Sequence, residues 1–142
     1  MKDESLQDIA SAIEDYFDLL EREFVWTEEG HIKVHLSKGT GITSREIYER
    51  EFPIVFPNSE SIPELNSIGY GEFTDLIENI GKEASDSLIV PSKLAEQVRR
   101  FFDVVSNSCD ARYESTDDYA SYDFCFSDSS SVLLCMIYVQ YD

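Results

Sequence analysis

The sequence predicts an α+β fold, with amphipathic helices packed on an antiparallel sheet that ends in a C-terminal β-hairpin. Three observations predict it. Val132 to Tyr141 reads V-L-L-C-M-I-Y-V-Q-Y, nine apolar or aromatic residues in ten, so it is a strand apolar on both faces that needs cover on each. Tyr119 to Phe126 is a second β-rich run, and Ser127-Asp128-Ser129-Ser130-Ser131 between the two is a turn cluster. Upstream, helical periodicity prevails. Helices and strands are largely segregated along the chain, which favours an antiparallel sheet over a parallel α/β arrangement.

Asp3 to Phe24 is the clearest helix. Leu6, Ile9, Ile13, Phe17, Leu20 and Phe24 recur at three- and four-residue steps and form one apolar stripe. Glu28-Glu29-Gly30 reads as a turn, with Val25 and Trp26 as a strand arm before it. His31 to Leu36 alternates, Ile32, Val34 and Leu36 on one face and His31, Lys33 and His35 on the other, the pattern of a half-exposed strand. Lys38-Gly39-Thr40-Gly41 reads as a loop. Thr43 with Glu46 is a capping box that opens a short helix from Ser44 to about Glu51, ended by Pro53. Ile54-Val55-Phe56, bracketed by prolines, reads as an edge strand at most.

Gly71 to Ala84 is a second amphipathic helix, with Gly81 a candidate early stop. Leu88-Ile89-Val90 is a short apolar segment. Pro91 or Ser92 starts a third long helix to about Val105, with Leu94, Val98, Phe101, Phe102 and Val105 inward. Cys109 to Glu114 reads as a strand, and Ser115 to Asp118 as an acidic turn into the terminal hairpin.

A chain of 142 residues is most simply one domain, able to bury about 68–70% of its unfolded surface. Lys2 is followed by Asp3 and Glu4 and no apolar h-region, so neither a signal peptide nor a membrane span is expected, and the reading is cytoplasmic. Cys109, Cys125 and Cys135 are odd in number and show no C-x-x-C spacing, which argues against a disulfide framework and a zinc knuckle. If the serine run is the turn, pairing across it sums to about 257 and sets Cys125 near Val132, away from Cys135.

Charge is the strongest functional signal. Against 29 acidic residues stand 11 basic ones, a net charge of −18. Direct contact with nucleic acid or an anionic membrane is disfavoured, and a basic partner is favoured.

One candidate partner-binding stretch interleaves Asp110, Glu114, Asp117, Asp118, Asp123 and Asp128 with Tyr113, Tyr119 and Tyr122. Tyrosine provides rigid contact area, and carboxylates complement Arg and Lys. The competing reading is a solvated hairpin edge guarded by its charges. A second acidic face lies on the first helix: Glu4, Asp8, Asp15 and Asp18. Carboxylates four residues apart there rise by about 6 Å, approximating phosphate spacing, although a plain solvated face has the same appearance.

No metal, cofactor or catalytic residue is expected. His31 and His35 on a strand would stand about 13 Å apart, too far to share an ion. Gly39-Thr40-Gly41 lacks the rest of a phosphate loop, and no nucleophile elbow or H-E-x-x-H is present. The chain therefore reads as a non-enzymatic binding protein that masks a basic partner, a toxin nuclease or another nucleic-acid-binding protein. In composition it is similar to bacterial immunity proteins and to phage inhibitors of nucleic-acid-targeting defence. The alternatives are a regulatory or scaffold subunit that mediates assembly and a small carboxylate-based enzyme. The oligomeric state and the strand order are left open by the sequence.

Overall fold

The computed structural model describes residues 2–27, 30–84 and 92–141, with side chains over 5–19, 32–82 and 92–140. Helix α1 (Lys2–Thr27) leads into strand β1 (Gly30–Thr40). Helix α2 (Ser44–Val55) and strand β2 (Asn66–Ile68) follow, then helices α3 (Tyr70–Ala84) and α4 (Ser92–Val104). Strands β3 (Cys109–Ser115), β4 (Tyr119–Ser127) and β5 (Ser131–Tyr141) complete the chain. The sheet order is β1-β5-β4-β3-β2, antiparallel throughout. This is the α+β arrangement predicted, with β4 and β5 as its C-terminal hairpin.

Alternation along each strand divides the core in two. Tyr122, Phe124, Phe126, Leu133, Cys135, Ile137 and Val139 join Ile9, Ile13 and Phe17 of α1, Phe73 and Ile77 of α3, and Val98 and Phe101 of α4. Phe73 touches both Phe124 and Phe126, with ring centroids 4.9 and 5.6 Å away. On the other face Cys125, Val132, Leu134 and Met136 pack under Ile47, Tyr48 and Phe52 of α2. Three helices thus cover one face, and α2 alone among the described helices covers the other. The fully apolar β5 has the cover its sequence demanded.

The capping box is present: the Glu46 backbone N–H donates to Thr43 Oγ1, and the Thr43 N–H donates to Glu46 Oε1. Several boundaries differ from the sequence reading. Val25 and Trp26 belong to α1, because an established helix propagates through residues of modest propensity more readily than a new strand begins. Lys38 to Thr40 extends β1 instead of forming a loop. A Cβ at Gly39 would collide with the Ile42 side chain, and Gly41 takes φ 72° at the turn, so both glycines serve the chain path.

Pro53 does not end α2 but lies inside it, so Ile54 and Val55 are helical and Phe56 is the C-cap. The exposed position lets water satisfy the carbonyl that proline leaves without a donor. Pro53→Ala is therefore expected to raise stability by about 1 kcal/mol, once the restored helical bond is set against the looser unfolded chain. A denaturant titration of the variant checks this. Gly81 is buried within α3 and does not terminate it. Strand β2 was not read from the sequence. The Glu28-Glu29 turn, Leu88-Ile89-Val90 and Pro91 lie outside the described residues.

The hairpin register pairs Cys125 with Leu134, two residues from the expected Val132. Asp128 closes the turn: its N–H donates to the Ser131 carbonyl, and its Oδ1 accepts from the Ser130 and Ser131 N–H groups at 2.9 and 2.8 Å. The centre of the turn moves accordingly. Cys125 and Cys135 face opposite cores, and all three cysteines are free and buried. Burial pushes the Cys125 thiol up to about 11 and raises those of Cys109 and Cys135 further, which suits packing rather than reactivity. No described helix is long and apolar enough to cross a membrane.

Candidate recognition site at the β3–β4 end of the sheet

The β3–β4 turn is built by one hydroxyl. Thr116 Oγ1 accepts from the backbone N–H of Asp118 at 3.2 Å and of Tyr119 at 3.1 Å, while the Thr116 N–H donates to the Tyr119 carbonyl at 2.7 Å. Ser/Thr turns of this kind hold a short loop in one conformation. Asp117 and Asp118 are consequently displayed in solvent from a fixed turn.

Beside the turn, Tyr119 stacks on Tyr138, with centroids 5.2 Å apart and planes at 20°. Its hydroxyl donates to Glu114 Oε1 at 2.5 Å, a bond that raises the phenol above its ordinary range. Glu114 Oε2 lies 3.1 Å from Arg112 Nη2. Tyr113 emerges on the opposite face of β3, 43% exposed, with its ring against the buried Tyr122 at 4.7 Å.

Under α2 this network goes into the core. Arg112 Nη1 lies 3.5 Å from Asp123 Oδ2, which also accepts from the Tyr48 hydroxyl at 2.5 Å. Asp123 is 1% exposed and its Oδ1 has no hydrogen-bond partner. Burial raises its carboxyl to about 6, against the opposing pull of Tyr48 and Arg112. Burial and the adjacent carboxylate raise the Tyr48 phenol in turn. A cleft of about 570 Å³ runs between Phe52 and Phe56 of α2, the Pro57–Pro63 loop, and Arg112, Glu114 and Tyr119 of the sheet. Arg45 Nη1 ties the loop by donating to the Pro63 carbonyl at 2.7 Å. Glu114 balances Arg112 within the cleft, and the negative charge lies on the turn above it, at Asp117 and Asp118.

The sequence-predicted residues separate into groups. Tyr113, Glu114, Asp117, Asp118 and Tyr119 gather at this end. Tyr122 and Asp123 are buried on opposite faces of β4 and present nothing to a partner, because the central strand is covered on both sides. Asp110 lies at the far end of β3, where Ser67 Oγ donates to it at 3.2 Å. Asp128 is occupied in the turn at the other end of β4. On α1, Asp8, Asp15 and Asp18 are exposed, and Asp15 pairs with Lys93 of α4 at 2.9 Å; the Glu4 side chain lies outside the described residues.

His35 Nε2 sits 2.8 Å from Glu51 Oε1. That contact, with help from Arg50, holds the Glu51 carboxyl below its ordinary range. Among the described residues no three His, Cys, Asp or Glu side chains come together as a metal site. Sequence reasoning missed Tyr48, Phe52 and Phe56, whose i, i+4, i+8 spacing was hidden by ending the helix at Pro53.

The chain is thus an α+β protein whose antiparallel sheet carries an acidic, tyrosine-flanked turn at its β3–β4 end. No family model, curated protein or solved structure matches the chain.

Proposed function

We propose that the chain is a non-enzymatic binding protein that docks its acidic β3–β4 end over a cationic site of a protein partner and masks it. The observation that carries this reading is the Thr116-locked turn, which holds Asp117 and Asp118 outward beside Glu114 and the stacked Tyr119–Tyr138 pair. A fixed display of carboxylates next to rigid aromatic area lowers the ordering cost of docking, and the net charge of −18 steers a basic partner toward it. A nuclease-type toxin, or another protein whose cationic surface handles nucleic acid, has the complementary chemistry. An immunity protein or a phage-type inhibitor is the role that fits.

The test pairs affinity capture from source-cell lysate, washed at low and then high salt, with kinetics on the captured protein. Asp117→Lys with Asp118→Lys is expected to slow association by about tenfold at low salt while leaving thermal stability nearly unchanged, since rim charges act mainly on the on-rate. Unchanged association would remove the turn from the interface and move the contact to Asp8, Asp15 and Asp18. Salt-insensitive self-association with no basic partner would favour the scaffold alternative.

A further inference from the structure

Strand β1 pairs with β5 on one side, and no described strand lies on its other side. The ladder has a readable phase. The Gly41 N–H donates to the Ser130 carbonyl at 3.0 Å, in line with a register that runs without a bulge from Gly30↔Tyr141 to Thr40↔Ser131. In an antiparallel pair, directly bonded positions alternate with positions whose N–H and C=O point the other way. The odd-numbered residues of β1 therefore bond to β5. Ile32, Val34 and Leu36 direct their backbone groups to the open edge.

A hollow lies on each side of that edge. One of about 600 Å³ is floored by Phe17, Val34 and Leu36, with Lys33 and the two carboxylates of Glu14 and Asp18 at its rim. The other, of about 490 Å³ on the α2 side, is walled by Phe56, Met136 and Tyr138, with Lys33 and His35 beside them. An added strand sends successive side chains to opposite faces. One set of its side chains would enter the first hollow, and the alternate set the second.

We infer that the β1 edge is a docking site for an extended protein segment in which basic and apolar residues alternate, bound as an extra strand. This site is separate from the β3–β4 end and does not depend on the function assigned to it. Backbone bonds to Val34 and Leu36 supply attachment, and the two hollows supply selectivity. The α1-side hollow suits a long side chain with an apolar stem and a cationic tip, which reaches Glu14 and Asp18. The α2-side hollow suits an apolar side chain, because Val55, Phe56, Met136 and Tyr138 line it and no carboxylate is among its described lining residues. A second copy of this chain is the wrong occupant. It would add another −18 charge and bring a second Lys33 to the same edge, the kind of charge by which edge strands discourage self-pairing.

The probe is a short synthetic peptide of alternating Arg and Val. The control has the same composition with all Arg residues first. The alternating peptide is expected to bind at least tenfold more tightly by calorimetry, and to slow amide exchange at Val34 and Leu36 but not at Asp117 or Asp118. Val34→Pro deletes an outward N–H without touching the β5 ladder and is expected to abolish the preference between the peptides. Should that variant misfold, Glu14→Lys with Asp18→Lys, both exposed positions, is expected to do the same. Equal affinity for both peptides, or unaltered exchange at Val34 and Leu36, would overturn the assignment and leave charge attraction alone. Protection of those amides by self-association without peptide would overturn it in favour of a second copy.

Discussion

Arg112→Ala is expected to destabilise the fold by about 3 kcal/mol at pH 7, the low end of the loss when one partner of a buried ion pair is removed. The side chain is 15% exposed, and it is the cation that faces Asp123, which is nearly inaccessible. Without it Asp123 keeps the Tyr48 hydroxyl but loses the positive charge that offsets its desolvation. Glu114 loses its cation as well, and the ring of Phe52, 6.0 Å from the guanidinium carbon, is uncovered. The loss stays at the low end because Asp123 can take up a proton. For the same reason it is expected to shrink on acidification toward pH 5. Denaturant titrations of both proteins across that range check this. A loss constant with pH would mean that Arg112 acts by packing alone.

The second large effect is on the pH dependence of stability. The Asp123 carboxyl rises from its ordinary 3.8 to about 6 in the folded protein, mainly through burial. A raised acid binds its proton more readily folded than unfolded, so its contribution to stability is greatest below pH 3.8 and falls as pH rises through about 6. At about 1.4 kcal/mol per pH unit, the gap amounts to about 3 kcal/mol of penalty at neutral pH. Tyr48, Arg112 and Glu114 are the titratable groups facing it, and the first two stay protonated throughout this range.

Glu51 has the opposite sign. Its carboxyl is lowered by His35 and Arg50, so its contribution is present above the ordinary carboxylate range and lost as pH falls through the lowered value. Comparison with Asp123→Asn isolates the buried acid. The variant's stability relative to wild type is expected to fall by about 2.4 kcal/mol from pH 7 to pH 4, because wild type gains there and the amide does not. A difference independent of pH would mean that folding does not raise the Asp123 carboxyl.

These effects meet at residues that the sequence shows in part. Asp123 stood out in the acidic stretch, but as a surface group and not as the buried partner of Arg112. Their spacing in the chain does not reveal that β4 is the central strand, covered on both faces. The apolar β5 run implied such cover, and a run on one strand says nothing about the neighbour's polar residue. Tyr48 was legible only as part of a capped helix. Because Pro53 is exposed, α2 continues through it and brings Phe52 and Phe56 over the sheet.

The α+β class, the apolar stripe of α1, the capping box at Thr43, the last three strands and the overall acidity are legible in the residues alone. Each follows from local periodicity, capping chemistry or composition, which need no knowledge of what lies across the fold. The strand order, the hairpin register set by Asp128, and the division of the acidic residues between surface and core come from the folded arrangement instead. The fold also places β1 last in the sheet, with no described strand beyond it and a hollow on either side. Those depend on contacts between residues far apart in the chain, such as Tyr48 with Asp123 and Phe17 beside Val34, and no local pattern encodes them.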